Sequence, residues 1–144
     1  MNPLEIIKEK FKNDKFAKSF GIVLDELTND IVKMHMKLRP EMNNFYDRTH
    51  GGAIYALADA AFSVIGNNQN NISVALDCLI NYHNSPETGE TLYVEGKLNT
   101  QTNKIATYVF TIYTQEEGVE TKVATMMSTL YRTGKPIDIK RELL

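Results

Sequence analysis

Apolar residues recur along this chain with two different periods, and those periods divide it into elements. Asn2 before Pro3 reads as a cap and first-turn pair, and Leu4, Ile7 and Phe11 follow at helical spacing. Residues 1–18 are therefore expected to form a short N-terminal amphipathic helix. Residues 20–27 and 31–38 read as strands joined by the turn formers Thr28-Asn29-Asp30. In the second strand Met34, Met36 and Leu38 alternate with Lys33, His35, Lys37 and Arg39, as the two-residue strand period requires. The basic stripe is read as a solvated sheet face rather than a phosphate-binding surface, so His35 is not taken as a ligand.

Pro40 closes that strand, and a polar loop leads to His50-Gly51-Gly52. Beyond it Ile54, Leu57, Ala58, Ala61, Phe62 and Ile65 make one apolar helical stripe, while Ala53, Ala56 and Ala60 keep the remaining surface slender. A helix with so little polar surface is expected to be surrounded by protein. Gly66 and the run Asn67-Asn68-Gln69-Asn70-Asn71 stop it. Four more strands are expected over residues 72–83, 91–100, 104–115 and 121–133, and their short, turn-rich connections imply a meander of antiparallel neighbours. In the third of these, Tyr108, Phe110 and Ile112 share one face and Ile105, Val109 and Tyr113 the other, which implies cover on both sides. The pattern is that of an α+β domain: an antiparallel sheet packed on one long central helix, with residues 134–144 as a tail.

Composition changes this picture only by exclusion. At 144 residues the chain is read as a single domain, long enough to bury roughly 68–70% of its unfolded surface. With 24% charged residues and a net charge of -2 it has no global attraction for nucleic acid or an anionic membrane. The one cysteine, Cys78, provides neither a disulfide framework nor a zinc cluster, and is placed on a core face with Ile72, Val74, Leu76 and Ile80. Residues 1–18 lack a continuous apolar run, and no later stretch approaches the roughly 18 apolar residues of a membrane span. A cytoplasmic protein, free of membrane, metal and cofactor, is the expectation.

Chemistry concentrates on the central helix. Asp59 has Tyr55, Phe62 and Ser63 as its helical neighbours, none of them cationic, and an ionised carboxylate without a partner is costly to bury. Two readings stand: a carboxylate at a solvent edge, bonded to Tyr55 or Ser63, or a catalytic one in an apolar cleft. At the helix start, unpaired backbone N–H groups and partial positive charge suit an oxygen that turns negative during reaction, and Gly51 and Gly52 allow close approach. Asp59 lies seven residues beyond Gly52, roughly 10 Å along the helix, so the two features are poorly placed to meet on one atom within one chain.

Asn44, His50-Gly51-Gly52, the run Leu57-Ala58-Asp59-Ala60-Ala61-Phe62 and the later Leu79-Ile80-Asn81-Tyr82, Pro86 and Gly89-Glu90-Thr91-Leu92 resemble the hotdog-fold acyl-CoA thioesterases of the phenylacetic-acid-degradation type. The resemblance runs from about residue 20 to Thr133. It implies a five- to six-stranded antiparallel sheet wrapped around the helix, and an acyl-CoA substrate hydrolysed without metal. It further implies a homodimer or a tetramer built from dimers, with sites at the subunit interface. Position by position, the Gly51 N–H resembles the group that polarises the thioester carbonyl, His50 helps position the site, and Asn44 matches an amide that holds the carbonyl or water. Asp59 of the facing subunit resembles the nucleophile or general base, and Ser63 a hydroxyl that orients water.

Gly52, Tyr55, Phe62 and Phe45 are then candidates for contact with substrate, and Ser73 and Asp77, read as sharing a strand face, stand in for a polar position that falls near Ala75. The sequence departs from the family in having Phe45 after Asn44, and Asn84-Ser85 where a basic residue often precedes Pro86. Lys104, Arg132 and Lys135 are read as solvated surface charges. The alternative reading is a silent acyl-CoA-binding regulatory module, and a hydratase or dehydratase of related fold is a third.

Overall fold

The computed structural model describes residues 2–138. The expected N-terminal helix is broken in two: α1 spans Pro3–Phe11 and α2 spans Lys15–Ser19. Asn2 and Glu5 close a reciprocal capping box on α1. The break falls where the Asp14 side chain accepts a hydrogen bond from the Ala17 N–H at 2.9 Å, capping a fresh helix rather than continuing the old one.

The strands are β1 (Val23–Leu27), β2 (Ile31–Lys37), β3 (Ser73–Tyr82), β4 (Thr91–Gln101), β5 (Ile105–Glu116) and β6 (Val119–Arg132), with the central helix α3 (Gly51–Ile65) between β2 and β3. All pairings are antiparallel, in the order β1-β2-β4-β5-β6-β3. The sheet of six strands wraps α3, which is the hotdog arrangement. A simple meander is not what forms, however: β3 pairs with β6 at one edge and β4 pairs with β2. Residues 83–90 carry the chain across three strand positions, roughly 14 Å in a flat sheet, a distance that eight extended residues cover with ease.

Ten of the fifteen residues of α3 are buried, and they meet Met34, Met36, Leu92, Phe110, Ile112, Met126 and Leu130 from the sheet's inner face. Irregularities in β1, β3, β4 and β6 bend the sheet about the helix. Close approach is met at Gly96, where an added Cβ would lie 2.5–2.8 Å from Phe110 and Val32. Gly96→Ala is expected to destabilise the fold by about 1–3 kcal/mol through overpacking, read as a lower urea midpoint with unchanged slope.

The bulge in β3 corrects two face assignments. Ala75 pairs with buried Leu130, but the next paired residue is Asp77, opposite Thr129 on the outer face. Leu76 is the extra residue, and every side chain beyond it changes sides. Asp77 therefore does not share a face with Ser73 and Ala75. Cys78 points inward with Ile80 and Tyr82, whereas Val74 and Leu76 are exposed rather than core.

The outer face of β5 is half-buried at Ile105, Val109 and Tyr113, with Tyr113 stacked on Tyr93 at 5.5 Å. Lys33 and His35 of the basic stripe pair with Glu26 and Asp25 at 3.5 and 2.7 Å. Arg132 is not simply solvated, since it donates to the Thr102 carbonyl. The start of the tail is also anchored: the Ile72 N–H donates to the Lys135 carbonyl and Ile137 is buried. Residues 139–144 of the expected tail lie outside the described residues. Among the described residues no helix is long and apolar enough to cross a membrane.

Candidate functional site

An α-helix begins with N–H groups that have no partner within it, and the local sequence decides which of them stay free. At the start of α3, His50 is the cap, and its Nδ1 accepts from the Gly52 N–H at 2.8 Å. That acceptor role puts the proton of the neutral ring on Nε2. The N–H groups of Ala53 and Ile54 both reach the His50 carbonyl. Among the described residues nothing accepts from the Gly51 N–H, so it alone of the first four stays available.

The surroundings hold this group in place. Tyr82, at the end of β3, donates from its hydroxyl to the Gly51 carbonyl at 3.1 Å, and its ring lies 3.4 Å from where a Cβ on Gly51 would stand. Thr49, buried, donates to the Pro86 carbonyl and pins the crossing loop beside the helix start. Gly51, Ile54, Tyr82 and His83 line a cleft of about 310 Å³ there. Periodicity marks Tyr82 only as a strand residue, and nothing local to it signals the helix start it touches. The parity change at the bulge is what turns it inward.

Asn44 sits in the loop before His50, and a bridge between Asn43 and Thr49 closes that loop. The Asn44 Oδ1 accepts from the N–H groups of Tyr46 and Arg48, at 2.9 and 3.2 Å. With the oxygen engaged in its own turn, the side-chain NH2 is what Asn44 has left to offer, and it has no acceptor among the described residues. Phe45 and Tyr46 pack against each other at 4.4 Å and are 90% and 74% exposed. Phe45 therefore stands open to solvent on this loop rather than in the interior of the chain.

The second cleft, about 250 Å³, lies farther along α3 and is lined by Asp59, Phe62, Ser63, Asn67, Ser73, Ala75 and Leu130. Among the described residues no hydrogen bond or ion pair reaches Asp59, so neither Tyr55 nor Ser63 satisfies it. Asp59 is exposed in the single chain, yet the desolvation it does undergo, and then the negative charge of Asp14, raise its pKa above the ordinary aspartate value. The Ser63 hydroxyl donates to the Ala60 carbonyl at 2.8 Å, which leaves its oxygen to accept. Ser73 serves the scaffold: its hydroxyl donates to the Gly66 carbonyl at 2.6 Å and accepts from the Asn71 amide, while its N–H donates to the Asn67 side chain. Phe62 packs edge-on against Tyr108 and Phe110 at 5.8 Å, so it is core that also floors this cleft.

Tyr55 lies on α3 between Gly51 and Asp59, and the Cys78 side chain beside its hydroxyl, and then burial, raise its pKa strongly. The Cys78 sulfur accepts from Ser128. Asp77, outside on the opposite face of β3, joins neither cleft. The chain thus brings His50, Gly51, Gly52 and the Asn44 loop together at the helix start and Asp59, Phe62, Ser63 and Ser73 in the second cleft. Gly51 and Asp59 are eight residues apart, about 12 Å along the helix.

The chain is similar to known proteins in sequence and in fold. The description of the thioesterase superfamily matches residues 46–121, which contain both clefts' share of α3. The acyl-coenzyme A thioesterase PaaI of Escherichia coli K12 is 28% identical over 107 residues, 74% of this chain and 76% of that protein. The structure of E. coli PaaI superimposes with a TM-score of 0.84 at 26% identity, covering 90% of this chain and 91% of the other. A protein of Thermus thermophilus superimposes with a TM-score of 0.77 at 27% identity, covering 83% and 97%. A thioesterase protein of Streptococcus pneumoniae, solved with coenzyme A, shares the fold at 22% identity with a TM-score of 0.79, covering 89% and 98%.

Proposed function

The chain belongs to the thioesterase superfamily, and from that membership we propose an acyl-CoA thioesterase whose active sites each join the Gly51 end of one subunit to Asp59 of its partner. The observation that carries this reading is a pair of groups on one helix that are unsatisfied among the described residues, the Gly51 N–H and the Asp59 carboxylate, too far apart to act on one carbonyl. The outer edge of β3 pairs with no strand among the described residues and exposes Val74, Leu76, Leu79 and Tyr82. Such an edge invites pairing with a second copy, which would set two α3 helices side by side.

In that arrangement the thioester oxygen accepts from the Gly51 N–H, and the charge it gains on becoming tetrahedral falls at the positive end of α3. The Asn44 NH2 donates to the same oxygen or to the attacking water. Asp59 either adds to the carbonyl carbon itself or takes a proton from water as hydroxide adds. When the C–S bond breaks, the sulfur leaves as the CoA thiol with the proton that Asp59 took from water; where Asp59 itself has added, the sulfur takes its proton from solvent and a water then hydrolyses the acyl–aspartyl anhydride, which releases the acid and restores Asp59. A CoA-linked substrate and the lone Cys78 fit a cytoplasmic setting.

Mixing subunits tests the shared site. Co-assembled with Gly51→Pro subunits, Asp59→Asn subunits leave one intact site and one doubly defective site per heterodimer. Activity is expected to rise well above that of either variant alone, towards half of wild type per heterodimer. If Gly51 and Asp59 of one chain formed the site, every site in the mixture would be defective, and the absence of recovery would overturn the proposal.

A further inference from the structure

Away from both clefts, the N-terminal segment encloses a concavity of about 530 Å³ between α1, α2 and β1. It exceeds the clefts beside Gly51 and Asp59 and falls within the roughly 300–1,000 Å³ of small-molecule sites. Its residues run from Lys8 to Leu27, outside the stretch 46–121 that defines the superfamily. Phe11, Ile22, Leu24 and Leu27 give it an apolar floor. An open apolar surface of this kind calls for an apolar occupant.

The rim decides the charge of that occupant. Of the two carboxylates that border the cavity, Glu26 is paired with Lys33 at 3.5 Å and Asp25 is hydrogen-bonded to His35 at 2.7 Å, both from the sheet's outer face. Lys12 is paired with Glu9 at 2.6 Å. The ammonium groups of Lys8 and Lys18 have neither hydrogen bond nor ion pair among the described residues. An apolar floor beneath two cations unpaired among the described residues fits one chemistry: an aliphatic chain ending in an anion.

We propose that this concavity binds a long-chain carboxylate, its chain on the Phe11–Leu24 floor and its head between Lys8 and Lys18. The inference is independent of thioester hydrolysis. Phe11 walls both this cavity and the small one holding Asp14 and Ser63, so an occupant lies one aromatic ring from the surroundings of Asp59.

The test titrates the full chain with dodecanoate labelled with 13C at its carboxyl carbon, following the carboxyl resonance and, in parallel, the heat of binding. One dodecanoate per chain is expected, with hexanoate much weaker and excess coenzyme A unable to displace it. The joint variant Lys8→Glu, Lys18→Glu, on two exposed helical positions, is expected to bind at least about tenfold more weakly, the loss of charge-assisted contacts. Lys15→Glu, on α2 but away from the cavity, is expected to keep wild-type affinity, and thioesterase turnover without dodecanoate is expected to be unchanged in both. The proposal fails if dodecanoate does not bind below its micelle-forming concentration, if Lys15→Glu weakens it as much as the joint variant, or if coenzyme A displaces it.

Discussion

Asp59→Asn is expected to lower kcat by about 10²–10⁴-fold, the range for removing a general base, without lowering the melting temperature. The two halves of this expectation come from the same feature. Desolvation and the charge of Asp14 raise the Asp59 pKa in the folded chain above its unfolded value. A group shifted that way contributes stability below its unfolded pKa and loses it as pH rises through the folded one. At neutral pH the ionised carboxylate is therefore a burden on the fold. The neutral amide removes that burden with the same shape, so the melting temperature should hold or rise as activity falls. Across pH, the acidic limb of kcat in the wild type should lie above the ordinary aspartate range and should vanish in the variant. A variant with full activity would remove Asp59 from the mechanism.

Gly51→Pro is expected to cost about 10²–10³-fold in kcat, the loss that follows when one donor to an oxyanion is deleted. Few sites allow so clean a deletion. Proline fits the first position of a helix, where its missing N–H has no intrahelical role. It also needs an extended residue before it, and His50 has φ −64° and ψ 136°. The control is Gly51→Ala, which keeps the N–H and sets its methyl in ordinary contact with the Tyr82 ring at 3.4 Å. Parallel kinetics with one acyl-CoA should show the alanine variant far more active than the proline one. Equal losses would mean that the space above Gly51 matters and its N–H does not.

The α3 helix and six strands are legible in the sequence because their apolar residues keep strict periods: Ile54 to Ile65 at helical spacing, and Met34, Met36 and Leu38 at strand spacing. The break between α1 and α2 is not, because it rests on Asp14 outcompeting helix continuation and no glycine or proline announces it. The placing of β3 beside β6 also escapes, since a short loop limits distance without choosing a neighbour. Within β3 the run Val74-Ala75-Leu76-Asp77-Cys78-Leu79-Ile80 is apolar on both sides, so alternation carries no parity and the bulge at Leu76 leaves no trace. Counting by twos through that run therefore sets Asp77 on the wrong face and gives Tyr82 no role. Resemblance and residue chemistry agree on His50, Gly51 and Asp59. That Gly51, among the described residues, keeps a free N–H at the helix start follows from what the ring nitrogen and the carbonyl of His50 accept, a matter of three-dimensional geometry.

The bulge at Leu76 also bears on catalysis at a distance. In the proposed dimer the β3 edges of two copies run antiparallel, and their alignment fixes how far the Gly51 of one lies from the Asp59 of the other. A slip of two residues would move those groups apart by about 7 Å, and a slip of one would turn the wrong side chains toward the helices. An irregular residue in an otherwise even ladder works as a notch that permits one alignment. Residues that never touch substrate thereby act as the gauge of the reacting distance, and a change that smooths the notch would be felt as a loss of turnover in a protein still folded and still dimeric.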